Sequence, residues 1–130
     1  MERREDFYIP EEIAEWIGLK KSEYLSRLIQ HQPAGDIGFE AFPRYDRFIP
    51  GTIERPDRTY ERTEDDQTIR TFVRSYDEDE VFHQVVIGVL LDDKKNKAAV
   101  FVPILSFVST ARELVREFSV GSVVGAPTLN

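Results

Sequence analysis

The stretch His83–Phe107, HQVVIGVLLDDKKNKAAVFVPILSF, decides the fold. Val85, Val86, Ile87, Val89, Leu90 and Leu91 form one aliphatic block, and Ala98–Leu105 a second. The charged, turn-like Asp92–Lys97 separates them. Each block is short for a buried helix and rich in strand formers, so the two read as neighbouring strands of a hairpin. Their hydrophobicity is continuous rather than alternating, which places them where both faces of a sheet are covered. Pro103 cannot donate to a ladder, so the second strand is an edge there or carries a bulge.

Upstream lie two further candidate strands, Arg58–Thr63 and Thr68–Tyr76, with Glu64–Gln67 as their turn. Side chains alternate across a strand. Arg58, Tyr60 and Arg62 therefore share one face of the first, and Arg70, Phe72, Arg74 and Tyr76 one face of the second. Laid side by side, the two rows would gather four arginines and three aromatic rings. Guanidinium groups bind phosphate bidentately and rings stack on bases, so this is the composition of a single-stranded nucleic-acid platform. The competing expectation is a solvated face whose arginines pair across strands with carboxylates. Asp77–Glu80, four carboxylates in a row, reads as a solvated turn rather than a metal site.

At the N-terminal end, Pro10 with Glu11 and Glu12 marks a helix start, and Ile13, Trp16 and Ile17 give it a buried stripe. Gly18 is the expected C-cap. A second helix is expected from about Lys21 to His31, burying Tyr24, Leu25, Leu28 and Ile29. Such a pair has the outline of a helix-turn-helix DNA reader, although Glu11, Glu12 and Glu15 suit two merely packed helices better. Asp36–Asp57 is punctuated by glycine and proline, with Phe39, Phe42, Tyr45, Phe48 and Ile49 pinning it to the core; a short helix near Arg44–Ile49 is compatible with it. After the central hairpin, Thr110 and Glu113 form a capping box for a last helix that buries Ala111, Leu114, Val115 and Phe118. Val120, Val123 and Val124 suggest an edge strand. The fold class is α+β: an N-terminal helical pair and a C-terminal helix on a mainly antiparallel sheet of about four strands.

A chain of 130 residues is one domain, 1–130, with tails at 1–7 and 126–130. Its formal net charge of −7 argues mildly against non-specific nucleic-acid binding, although the charge is unevenly distributed. There is no cysteine, hence no disulfide, thiolate metal site or cysteine nucleophile. No apolar run reaches the length of a membrane span and MERRED does not open a signal peptide, so the expectation is a cytoplasmic protein without a membrane partner. Neither G-x-S-x-G, a P-loop, H-E-x-x-H nor a dinucleotide fingerprint occurs, and no metal or cofactor is expected.

Of the two histidines, His31 closes the second expected helix, where the dipole favours its protonated form, and His83 opens the first central strand. The order of a helix ending in His31, then Ile49-Pro50-x-Thr52-Ile53-x-x-Pro56-Asp57-x-x-Tyr60-Glu61, an arginine strand with Arg70 and Arg74, and apolar strands ending in Ser109-Thr110 resembles phage-associated and toxin-type nucleases of the barnase–EndoU–colicin–RelE-like superfamily. The resemblance spans about His31 to Thr110. It implies metal-independent RNA cleavage by 2′-hydroxyl attack on the adjacent phosphate, by a site either intact or degenerate. It also implies catalytic His31, Arg70, Arg74 and Thr110, and substrate contacts from Arg58, Tyr60, Arg62, Phe72 and Ser109. Glu61 is a second base candidate, ranked below His31 because its alternation with Tyr60 turns it to the core side. The alternatives are a non-catalytic, immunity-type protein whose acidic surface binds a basic partner, and the helix-turn-helix DNA binder.

Overall fold

The computed structural model describes residues 8–124; the expected tails lie outside or at the margin of that range. Helix α1 (Glu11–His31) is followed by a 3₁₀ helix (Phe39–Phe48), α2 (Ile49–Glu54), strands β1 (Arg58–Glu64), β2 (Gln67–Asp77), β3 (Val81–Asp93) and β4 (Ala98–Ser109), α3 (Arg112–Phe118) and the two-residue β5 (Ser122–Val123). The strands form one antiparallel sheet in the order β4-β3-β2-β1-β5. The α+β class holds, with five strands rather than four. No described helix is long and apolar enough to cross a membrane.

Strand β3 lies inside the sheet, and Phe82–Val89 are all buried. This is the physical origin of its unbroken hydrophobicity. Pro103 satisfies both alternatives: β4 is an edge strand, and its register with β3 shifts between Ile87 and Gly88, leaving Ile104 as the extra residue. Gly88 sits under the Phe101 ring, where a Cβ would fall 2.5 Å from Phe101 Cζ.

The helix pair is corrected to one continuous helix. Gly18 is helical, exposed, and has nothing within 4 Å of where a Cβ would stand. A single glycine inside a helix costs about 1 kcal/mol relative to alanine, too little to end one whose buried stripe continues beyond it. Lys20, Tyr24 and Leu28 carry that stripe on at intervals of four. Without a turn there is no helix-turn-helix in the described residues, and the DNA-reader alternative loses its basis.

α1 and α3 cover one face of the sheet, here called the helical face. Tyr24 and Leu28 of α1 and Leu114, Val115 and Phe118 of α3 form one core with Ile69, Val73, Val85, Ile87, Val89 and Phe107. Midway along α1, Lys20 bonds Glu64 at 2.5 Å and Arg62 donates to both Glu64 and the Tyr24 hydroxyl. Burial pushes the Glu64 carboxyl upward, but the hydrogen bonds from Lys20 and Arg62 outweigh it and hold the group below its usual range.

The opposite face is capped at one end by the 3₁₀ helix. Phe39, Phe42, Tyr45 and Phe48 recur every third residue, the period of a 3₁₀ helix. Phe39 and Phe42 stack on each other and pack against the helical-face core, while Tyr45 and Phe48 pair on the opposite face. Tyr45 and Phe48 meet Phe82 edge-on at 4.9 and 5.1 Å. Gly18→Ala is expected to raise stability by about 0.5–1 kcal/mol, because alanine suits the interior of a helix better than glycine. Urea unfolding measures it; a loss of stability would show that Gly18 caps a helix instead.

Candidate functional site

The β1–β2 register decides which side chains meet. Asp65 and Asp66 both have positive φ (52° and 65°) and form a two-residue turn, so Glu64 opposes Gln67 and Tyr60 opposes Thr71. Residues directly opposite in an antiparallel pair project from the same face. Arg58, Tyr60 and Arg62 therefore share the helical face with Thr71 and Val73, whereas Arg70, Phe72, Arg74 and Tyr76 project from the other. The expected double row of arginines and rings is not assembled.

Most members of that row are engaged elsewhere. Arg62 belongs to the Tyr24–Glu64 cluster. Arg70 Nε donates to Glu61 Oε2 at 2.8 Å, a cross-strand ion pair, so Glu61 lies with Arg70 and away from the helical core. Arg74 reaches the Gly51 carbonyl at 3.3 Å and lies over the Tyr76 ring. Phe72 is buried against Phe101.

His31 ends α1 on the helical side and contacts the Glu117 carboxylate, so the sheet separates it from Arg70 and Arg74. Asp36 occupies Ser109 and Thr110: it accepts from the Ser109 hydroxyl at 2.5 Å and from Thr110 N and Oγ1 at 2.8 and 3.1 Å. Thr110 consequently does not cap α3, which starts one residue later, after Ala111, with no side-chain cap bond.

Arg58 and Tyr60 do reach a cavity. It lies on the helical face between the sheet and α3, has a volume of about 250 Å³, and is lined also by Asp57, Ser75, His83, Arg112 and Arg116. His83 is 7% exposed and stands opposite Ser75 on β2 and Ser109 on β4. Its Nδ1 shares a hydrogen bond with Ser75 Oγ at 2.7 Å. Asp57 Oδ2 accepts from Ser75 N at 2.8 Å and so fixes the strand next to the imidazole.

Three arginines line the cavity with this histidine. Arg58 starts β1, and Arg112 and Arg116 are one helical turn apart on α3. None of the three forms an ion pair with another described residue. With Asp57 the only carboxylate in the lining among the described residues, the cavity is cationic in a chain whose net charge is −7. Burial, followed by the charge of Arg112, holds His83 below the ordinary histidine range, against the opposing pull of Asp57 and Asp36. A neutral imidazole among free guanidinium groups can accept a proton beside a bound anion.

Sequence reasoning missed Ser75, Arg112 and Arg116; the signals that could have found them are strand alternation, which puts Ser75 on the face of Val73, and the i, i+4 spacing of Arg112 and Arg116. What the sequence lacked was the packing of α3 across the end of the sheet. No cluster of metal-binding side chains occurs among the described residues. No family model, curated protein or solved structure matches the chain.

A group whose folded value is lowered binds fewer protons than it does when unfolded, so stability rises with pH through this interval. The contribution of His83 is complete above about pH 6.5 and is lost as pH falls from there toward its folded value. Asp36, Asp57, Arg58, Arg112 and Arg116 are the charged groups that face or flank it. Urea midpoints at pH 7.5 and 5.5 are expected to differ less in His83→Gln than in the wild type; an equal difference would contradict the assignment.

Proposed function

We propose that the cavity between the sheet and α3 binds the phosphate of a nucleic-acid ligand and that the chain is a metal-independent RNase-like domain working there, not on the Arg70–Arg74 face. The observation that carries this reading is the buried His83 in one cavity lining with Arg58, Arg112 and Arg116, none of which forms an ion pair among the described residues. Arg58, Arg112 and Arg116 hold the phosphate and stabilise charge that develops on its oxygens. His83 takes the proton of the ribose 2′-hydroxyl as that oxygen forms its bond to phosphorus. The bond from phosphorus to the leaving 5′-oxygen breaks, and that oxygen takes a proton from water at the open mouth. Tyr60 on the rim supplies a ring for the adjoining base, since stacking tolerates any base.

The role first assigned to His31 thus passes to His83, and the phosphate contacts assigned to Arg70 and Arg74 pass to Arg112 and Arg116. Arg58 and Tyr60 keep the substrate roles that the nuclease resemblance gave them.

Cleavage of a short single-stranded RNA in excess EDTA tests the reading. The wild type is expected to cut it and leave a 2′,3′-cyclic phosphate. His83→Gln is expected to be slower by about 10²–10⁴-fold, the range for loss of a proton-transfer group. Arg112→Ala is expected to lose about tenfold or more, the scale of one charge-assisted phosphate contact. Arg70→Ala is expected to stay within about twofold, a change of under half a kcal/mol. Absence of cleavage by the wild type, or a His83→Gln variant as fast as the wild type, would overturn the proposal.

A further inference from the structure

A second cavity, of about 380 Å³, opens at the same end of the sheet as the His83 cavity but on the opposite face, between the 3₁₀ helix and the β2–β3 turn. Its floor is aromatic: Tyr45, Phe48 and Phe82 present rings already packed against one another. One wall carries Arg44 and Arg47 and the other Glu78, Asp79 and Glu80. All five charged residues are exposed, yet neither guanidinium forms an ion pair with any of the three carboxylates. Arg47 instead lies 4.6 Å from the centre of the Phe48 ring and donates to the Arg44 carbonyl at 3.3 Å.

The floor is tied to the sheet by ring packing and hydrogen bonds. Phe82 is 1% exposed and is stacked on Tyr76, whose hydroxyl donates to the Phe48 carbonyl at 3.2 Å. The Thr52 hydroxyl donates to the same carbonyl at 2.8 Å. The 3₁₀ helix that bears the arginines is thereby fastened to β2 and β3, which bear the carboxylates on their turn. Opposite charges face each other across a fixed apolar strip.

We infer that this cavity binds a small zwitterion whose anionic and cationic ends are separated by an apolar chain, the class that includes ω-amino acids and free lysine. A carboxylate takes the Arg44–Arg47 wall through charge-assisted hydrogen bonds. The methylene chain covers the rings, and the ammonium group meets the acidic wall while drawing on the negative faces of Tyr45 and Phe48. A simple anion would be repelled by three carboxylates and a simple cation by two guanidinium groups, so the arrangement selects for both charges at once. This site is independent of the His83 cavity and of its proposed function.

The probes are 6-aminohexanoate, L-lysine, hexanoate and pentane-1,5-diamine, titrated into the full chain and followed by the aromatic proton resonances of Tyr45, Phe48 and Phe82. The two zwitterions are expected to shift these signals saturably, and hexanoate and the diamine to bind at least about tenfold more weakly, the cost of losing one charge-assisted contact. The double variant Arg44→Ala/Arg47→Ala should weaken 6-aminohexanoate and tighten the diamine, whereas Glu78→Gln/Glu80→Gln should weaken both. These positions are exposed, and thermal unfolding of each variant confirms that it folds. His83→Gln should leave the titration unchanged. The inference is overturned if 6-aminohexanoate causes no saturable shift, or if the diamine binds as tightly as it does, which would leave an acidic patch only.

Discussion

A turn of two residues governs this molecule. Asp65 and Asp66 both take left-handed backbone angles, and this is the geometry that joins two twisted antiparallel strands most tightly. Because the loop holds an even number of residues, every even-numbered position of β1 opposes an odd-numbered position of β2. Arg58, Tyr60 and Arg62 are thus committed to the face that α1 and α3 cover, and Arg70, Phe72 and Arg74 to the other. A slip of one residue would exchange the faces of an entire strand and expose Ile69 and Val73, so burial of those two enforces the same register. The β2–β3 connection, Glu78–Glu80, is odd in length and keeps like parity together, which is why Ser75 and His83 meet.

Much of the architecture was legible in the residues. The aliphatic block of β3, the charged turn after it, the proline of the edge strand and the stripe on α3 each follow from one local rule, and each stands where expected. The turn at Glu64–Gln67 also stands where expected, but its even length sets the two arginine rows on opposite faces of the sheet instead of side by side. Gly18 misled for a different reason: local propensity marks a helix end there, whereas the buried positions Lys20, Tyr24 and Leu28 carry the helix across. The capping box at Thr110 lost to a long-range partner, Asp36, which no local pattern discloses. The three-residue aromatic period of Phe39–Phe48 was a legible 3₁₀ signal, obscured by the density of glycine and proline around it.

The candidate site depends on a contact that the sequence does not encode locally. His83 is buried between β2 and β4 at the strand ends, and the packing of α3 there brings Arg112 and Arg116 to the same cavity. Local charge at this cavity therefore runs opposite to the chain's net charge, with three arginines that form no ion pair among the described residues. The buried Lys20–Glu64–Arg62 cluster at the far end of the same face shows the other use of charge in this fold, where opposite groups are paired and satisfy each other across α1 and β1. A paired cluster fastens a helix, whereas an unpaired one is ready for a ligand.

The most direct measurement is a crystal structure of the chain grown with a nucleoside 3′-monophosphate. The account requires the phosphate to lie between Arg58, Arg112 and Arg116, within hydrogen-bonding reach of the imidazole of His83. Density for the nucleotide across Arg70 and Arg74 on the opposite face, with the His83 cavity holding only water, would contradict it.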